Sequence, residues 1–111
     1  MKKLKLITEL TIIIFALSLR LYGQTGAIEG TVIDKANSET LIGSTVVIEG
    51  TTIGTISDAE GRFAFKNIKP GKYNLKISYI SYNTKVIENI KVESGKITSI
   101  NAELETSIQA L

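Results

Sequence analysis

From residue 26 onward the chain alternates apolar and polar residues in short runs, broken by glycine, asparagine, aspartate and serine. Ile28 and Val32 alternate with Glu29 and Thr31, which predicts a first strand over 28–33. The stretch K-A-N-S-E-T at 35–40 reads as a polar loop. A second strand follows from Leu41 to Glu49, with Ser44, Val46 and Ile48 inward and Thr45, Val47 and Glu49 outward. Gly50-Thr51-Thr52 turns into a short third strand over 53–57, and Asp58-x-x-Gly61 turns again into a fourth over 62–65. In such connections glycine supplies positive φ and aspartate caps its own turn. Pro70-Gly71 predicts a type II turn, in which proline fixes φ and glycine takes the positive value. The cleanest alternation spans 72–79, where Tyr73, Leu75, Ile77 and Tyr79 share one face against Lys72, Asn74, Lys76 and Ser78. Two weaker strands are expected over 84–90 and 97–104, with Ser94-Gly95 as the turn between them.

Short strands at this spacing, with no helical periodicity after the leader, predict an all-β, seven-stranded antiparallel sandwich of Greek-key type. Most runs are five to seven residues long, whereas a transmembrane barrel needs strands of about 9–11. The inward set expected to form the core is Val32, Val46, Ile48, Phe63, Leu75 and Ile77. Residues 24–104 then form the domain, and 105–111 read as the start of a linker.

The first 23 residues have another character. Lys2, Lys3 and Lys5 precede an apolar run from Leu10 to Leu19, and Leu21-Tyr22-Gly23-Gln24 follows as a cleavage zone. That order is the pattern of a secretory signal peptide over 1–23, cut between Gly23 and Gln24. Ten helical residues rise only about 15 Å, half of a bilayer core, so the run is too short to span a membrane. With no cysteine, the lipoprotein route is closed.

The leader also changes the meaning of the charge. The whole chain has 13 basic and 11 acidic residues, but the part after residue 23 has nine and ten, a net of −1. Its lysines and arginine are scattered singly, so no stripe tracks a nucleic-acid backbone. Without disulfides, the roughly 88 exported residues must rely on a hydrophobic core alone.

Histidine is absent as well as cysteine. No Ser-His-Asp triad, Cys-His pair or imidazole zinc site can therefore be built. Asp58 and Glu60 could offer carboxylates to calcium, but the fixed oxygen offsets of a calcium loop are missing, and a β-turn begun by Asp58 accounts for the same residues. Glu49, Asp58 and Glu60 flank turns rather than pairing across a cleft, which argues against two-carboxylate glycoside chemistry. Tyr73, Tyr79 and Tyr82 suggest sugar stacking, yet Tyr73 and Tyr79 lie on the inward face, where packing with the hydroxyl at the rim is the usual outcome. Gly50, Gly54 and Gly61 do not follow a strand-into-helix pattern, so they read as turn glycines and not as a phosphate loop. No catalytic, cofactor-binding or metal residue is expected.

Several spaced residues carry a resemblance. They are Gly30, Val32 and Asp34; Leu41, Gly43, Val46, Ile48, Gly50 and Thr51; Gly54, Thr55, Asp58, Gly61 and Phe63; Pro70, Gly71, Tyr73 and Leu75; and Ser78, Tyr79 and Tyr82. Together they resemble the carboxypeptidase-regulatory-like domain, a prealbumin-type β-sandwich, over about residues 26–103. The departures from its pattern are Thr40 for proline, Ser44 for alanine, Ser57 for threonine and Ser81 for glycine. Ser81 predicts an ordinary negative φ in the turn before Tyr82. The resemblance is to the accessory sandwich and not to the zinc peptidase that gives the family its name.

In the Bacteroidota this domain often precedes the plug and barrel of SusC-type TonB-dependent receptors. The resemblance therefore implies the non-catalytic N-terminal domain of an outer-membrane nutrient receptor, truncated or split, at the periplasmic face of the outer membrane. Its implied partners are TonB-type energy-transduction or receptor components, with no cofactor and no nucleic acid. The alternatives are a free-standing exported sandwich that binds a protein or glycan, and an appendage of another exported protein such as a peptidase.

Overall fold

Seven strands form where the alternation runs, and a helix forms over the N-terminal residues that include the apolar run. The structure is a computed structural model and describes residues 2–22 and 24–107. Helix α1 covers Lys2–Tyr22. It is followed by β1 (Gly26–Asp34), β2 (Thr45–Ile48), β3 (Gly54–Ile56), β4 (Arg62–Ile68), β5 (Gly71–Ser78), β6 (Lys85–Val92) and β7 (Ile97–Leu104). The apolar side chains of α1 from Leu4 to Phe15 are exposed, and none joins the core. Among the described residues no helix is long and apolar enough to cross a membrane. The expected cut lies at Gly23–Gln24, and Gly23 is outside the described residues.

The strands make two sheets, ordered β4-β1-β7 and β3-β2-β5-β6. Their inner faces enclose one cluster that includes Ile28, Val32, Val46, Ile48, Phe63, Phe65, Leu75, Ile77, Ala102 and Leu104. All six residues of the inward set expected from the alternation are buried. The molecule is an all-β sandwich of two sheets, but it is not antiparallel throughout. β1 and β7 run parallel, in register from Ala27↔Ile97 to Asp34↔Leu104. Alternation shows which face a strand buries and not the direction of its neighbour. The sheet crossings bring the first and last strands side by side with the same polarity.

Two bulges interrupt the strands, and the second explains a weak stretch of the sequence pattern. In β4 the register slips between Gly26 and Ile28 of its partner, and Asn67 sits at φ 57°. In β6 it slips opposite Asn74, with Asn89 also at φ 57° and its N–H donating to the Asn74 side-chain oxygen at 3.0 Å. Asparagine tolerates the left-handed region, so each bulge forms cheaply. The β6 bulge switches the inward parity from Ile87 to Ile90 and Val92, which is why that strand read poorly.

Three local expectations change. The second strand begins at Thr45 rather than Leu41, because Leu41–Ser44 forms an anchored loop. There the buried Ser57 hydroxyl donates to the Leu41 carbonyl at 2.6 Å and accepts the Ser44 N–H at 2.8 Å. Gly71 is at φ 157° and already pairs with Val92 as the first residue of β5, so Pro70-Gly71 is not a type II turn. Gly54 opens β3 as a strand residue and is not a turn glycine.

Ser81 is at φ 68°, where a negative value was expected. The Tyr82 N–H donates to the Tyr79 carbonyl at 3.1 Å, and closing that turn places Ser81 in the left-handed region. A Cβ there costs roughly 1–2 kcal/mol. Ser81→Gly is therefore expected to raise stability by about 0.5–1 kcal/mol, less than the strain because glycine loses more entropy on folding. A lower urea midpoint for this variant would refute the strain.

Candidate functional site

The sheet β4-β1-β7 buries one face and offers the other to solvent. Glu29 and Thr31 of β1, Arg62, Ala64 and Lys66 of β4, and Ser99 and Asn101 of β7 line that outer side, with Thr55 and Ile56 of β3 as a wall. They surround an open depression of about 880 Å3. It offers hydroxyls, an amide and charges of both signs, a lining suited to hydrogen bonding with another polar chain. Among the described residues no three His, Cys, Asp or Glu gather closely enough to hold a metal ion.

Asp58 lies at the rim of the depression, and its carboxylate is used by its own turn. It accepts the Arg62 N–H at 2.9 Å and the Glu60 N–H at 3.0 Å. The Gly61 N–H closes the turn on the Asp58 carbonyl at 2.9 Å. The Arg62 N–H, more than any other group, holds this carboxyl below its ordinary range. This is the turn expected from Asp-x-x-Gly, and it leaves little of Asp58 for a ligand. Glu49 and Glu60 are exposed on separate turns.

The three tyrosines do not form one platform. Tyr73, near the start of β5, donates its hydroxyl to the Lys69 carbonyl at 2.6 Å. Tyr79 lies just past the other end of that strand, about 20 Å away at the strand rise per residue. Its ring meets that of Tyr82 at 5.5 Å between centroids, tilted by 56°. All three pack partly buried against the core.

Tyr82 does more than pack. Its hydroxyl donates to Oδ2 of Asp34, whose Oδ1 accepts the Ala36 N–H at 2.7 Å. The residue after Asp34 is fixed as well: the Lys35 N–H donates to the Leu104 carbonyl, and its ammonium pairs with Glu105 at 2.9 Å. Residues 105–107 continue past β7 and pair with 81–83, through Asn83 N–H to Glu105 O and Ser107 N–H to Ser81 O, each 2.9 Å. One end of the sandwich is thus stitched from three distant segments. Sequence reasoning missed this cluster. Asp34 was visible as a patterned residue, but nothing local pointed to a partner 48 positions away.

The bond to Tyr82, then the Ala36 N–H, holds the Asp34 carboxyl below its ordinary value of 3.8. The same bond, with desolvation, pushes the Tyr82 hydroxyl up to about 12. A depressed aspartate adds stability above 3.8 and loses it as pH falls below that value. A raised tyrosine adds stability below 10 and loses it as pH rises from 10 towards 12. Tyr82→Phe is expected to flatten both limbs of the stability curve, read as urea midpoints across the acid and alkaline ranges. Parallel curves for variant and parent would show that the bond does not govern either limb.

The model of the CarboxypepD_reg-like domain matches residues 28–111. The chain belongs to that family. Among solved structures, this CarboxypepD_reg-like domain is similar to a type II cohesin–X-dockerin complex from Acetivibrio cellulolyticus, at 23% identity and TM-score 0.63, covering 78% of this chain and 61% of that one. It is also similar to the minor pilin of Streptococcus agalactiae, at 13% identity and TM-score 0.58, covering 79% and 47%. A third likeness is to the major pilin subunit of Bacillus cereus, at 22% identity and TM-score 0.55, covering 75% and 30%. These likenesses are of fold, and the chain spans less than two thirds of each of these structures. No curated protein matches it.

Proposed function

We propose that this chain is a non-catalytic accessory domain of a TonB-dependent outer-membrane nutrient receptor, exported by its leader to the periplasmic face of the outer membrane. There it docks TonB-type energy-transduction or receptor components. The observation that carries the reading is membership of the CarboxypepD_reg-like family over residues 28–111, a family whose resemblance implies receptors of the SusC type. The residue inventory supports it, since a chain without histidine or cysteine lacks the usual nucleophile–base pairs. The polar outer face of β4-β1-β7 supplies a surface on which a protein segment can bond.

The test is a pull-down from a periplasmic and outer-membrane extract with the full chain as bait. Energy-transduction or receptor components should be enriched over a bait of similar size and charge. Recovery of none of these, together with tight binding to a defined glycan, would transfer the function to a free-standing binding module.

A further inference from the structure

β1 and β7 are the first and last strands of the sandwich, and they lie side by side, parallel and in register over eight residue pairs. The start of β1 and the end of β7 therefore stand at opposite ends of one ladder. Tension along the chain before β1 and after β7 slides one strand past the other and loads the evenly spaced rungs together. Separation from one end would instead open the rungs one after another.

The ladder is reinforced beyond the strands. At one end the Gly95 N–H donates to the Thr25 carbonyl at 2.9 Å and the Ala27 N–H to the Lys96 carbonyl at 3.0 Å. At the other, the Lys35 N–H reaches the Leu104 carbonyl at 2.9 Å beside the Lys35–Glu105 ion pair. The seam is also tight, because a Cβ on Gly30 would stand 2.2 Å from the Ile100 carbonyl oxygen. β1 is central in its sheet, held on its other edge by β4. The chain leaving β7 is bonded at 105–107 to residues 81–83 beyond β5, so a load at residue 107 is shared with the second sheet.

We propose that the domain is a load-bearing link: pulled between residues 24 and 107, it resists tension through the sheared β1–β7 ladder. This role needs an attachment ahead of residue 24, so it applies to the chain with its leader retained and not to one cut at Gly23–Gln24.

Because the chain has no cysteine, introduced cysteine pairs provide unique handles for single-molecule pulling. The full chain with Gln24→Cys and Ser107→Cys is pulled in shear, and with Gln24→Cys and Lys96→Cys it is pulled from one end of the same ladder. All three positions are exposed. At equal loading rate the shear pair should rupture at about threefold higher force or more, since its rungs share the load. Equal forces, or a weaker shear pair, overturn the proposal. Ala27→Pro deletes the rung to Lys96 and should lower the shear force. An unchanged shear force in the folded variant overturns the proposal too. If that variant does not fold, the comparison of pulling directions decides alone, because it alters no core residue.

Discussion

Phe63→Ala is expected to destabilise the domain by about 3–5 kcal/mol, the range for emptying a buried aromatic site. Phe63 is 4% exposed on the inner side of β4, edge-on to Phe65 with ring centroids 6.2 Å apart. Its partner across the ladder is Gly30, which has no side chain to move into the vacated space. β1, the strand beside it, is bonded on both edges, so the cavity cannot collapse cheaply. A domain this small has a total stability on the order of 5–10 kcal/mol, so the variant would lose from about a third to all of it. Lys76→Ala, on the outer face of β5, should change stability by less than about 0.5 kcal/mol. Urea melts with an unchanged slope would measure both. Equal losses would mean that the inner and outer faces are assigned wrongly.

The contrast between those two variants was legible in the sequence because a strand has period two and one side of it must leave water. Val46 and Ile48 on β2, and Leu75 and Ile77 on β5, follow that rule, and all four are buried. What the alternation did not carry was relation over distance. The parallel pairing of β1 with β7 depends on how the chain crosses between sheets, and no residue on either strand encodes polarity. The parity switch in β6 depends on Asn89, which looks like an ordinary polar residue until its left-handed φ is seen. Ser81 misled for a related reason. The residue type favours negative φ, but the turn closed by Tyr82 and the bond from Ser107 to the Ser81 carbonyl impose the opposite sign.

Function was legible mainly by exclusion. The missing histidine and cysteine remove whole classes of chemistry, and the spaced glycines, aspartates and aromatics point to the family. The outer depression was not visible, because it is lined by residues from β1, β3, β4 and β7 together rather than by any motif. The tyrosines were visible as residues, but only their positions separate Tyr73 from Tyr79 and Tyr82.

Gly30→Ala is expected to cost about 3 kcal/mol, near the top of the range for overpacking a close-packed core. Its backbone φ is not in the left-handed region, so conformational strain is not the cause. The cause is space: a Cβ would stand 2.2 Å from the Ile100 carbonyl oxygen and 2.7 Å from the tip of the Phe63 ring. The ring could tilt, but the carbonyl belongs to the parallel ladder with β7 and cannot retreat without breaking rungs. Gly43 is the contrasting case. At φ 82° with nothing within 4 Å of an added Cβ, Gly43→Ala should cost only the strain of roughly 1–2 kcal/mol. The double variant Gly30→Ala, Phe63→Ala separates the two clashes. Removing the ring frees one side, so the combined loss should fall below the sum of the single losses by about 0.5–1 kcal/mol or more. It should still exceed the loss from Phe63→Ala alone, because the Ile100 carbonyl remains. Strict additivity in the double-mutant cycle would show that Gly30 and Phe63 do not share that space, and that the seam rather than the ring selects glycine there.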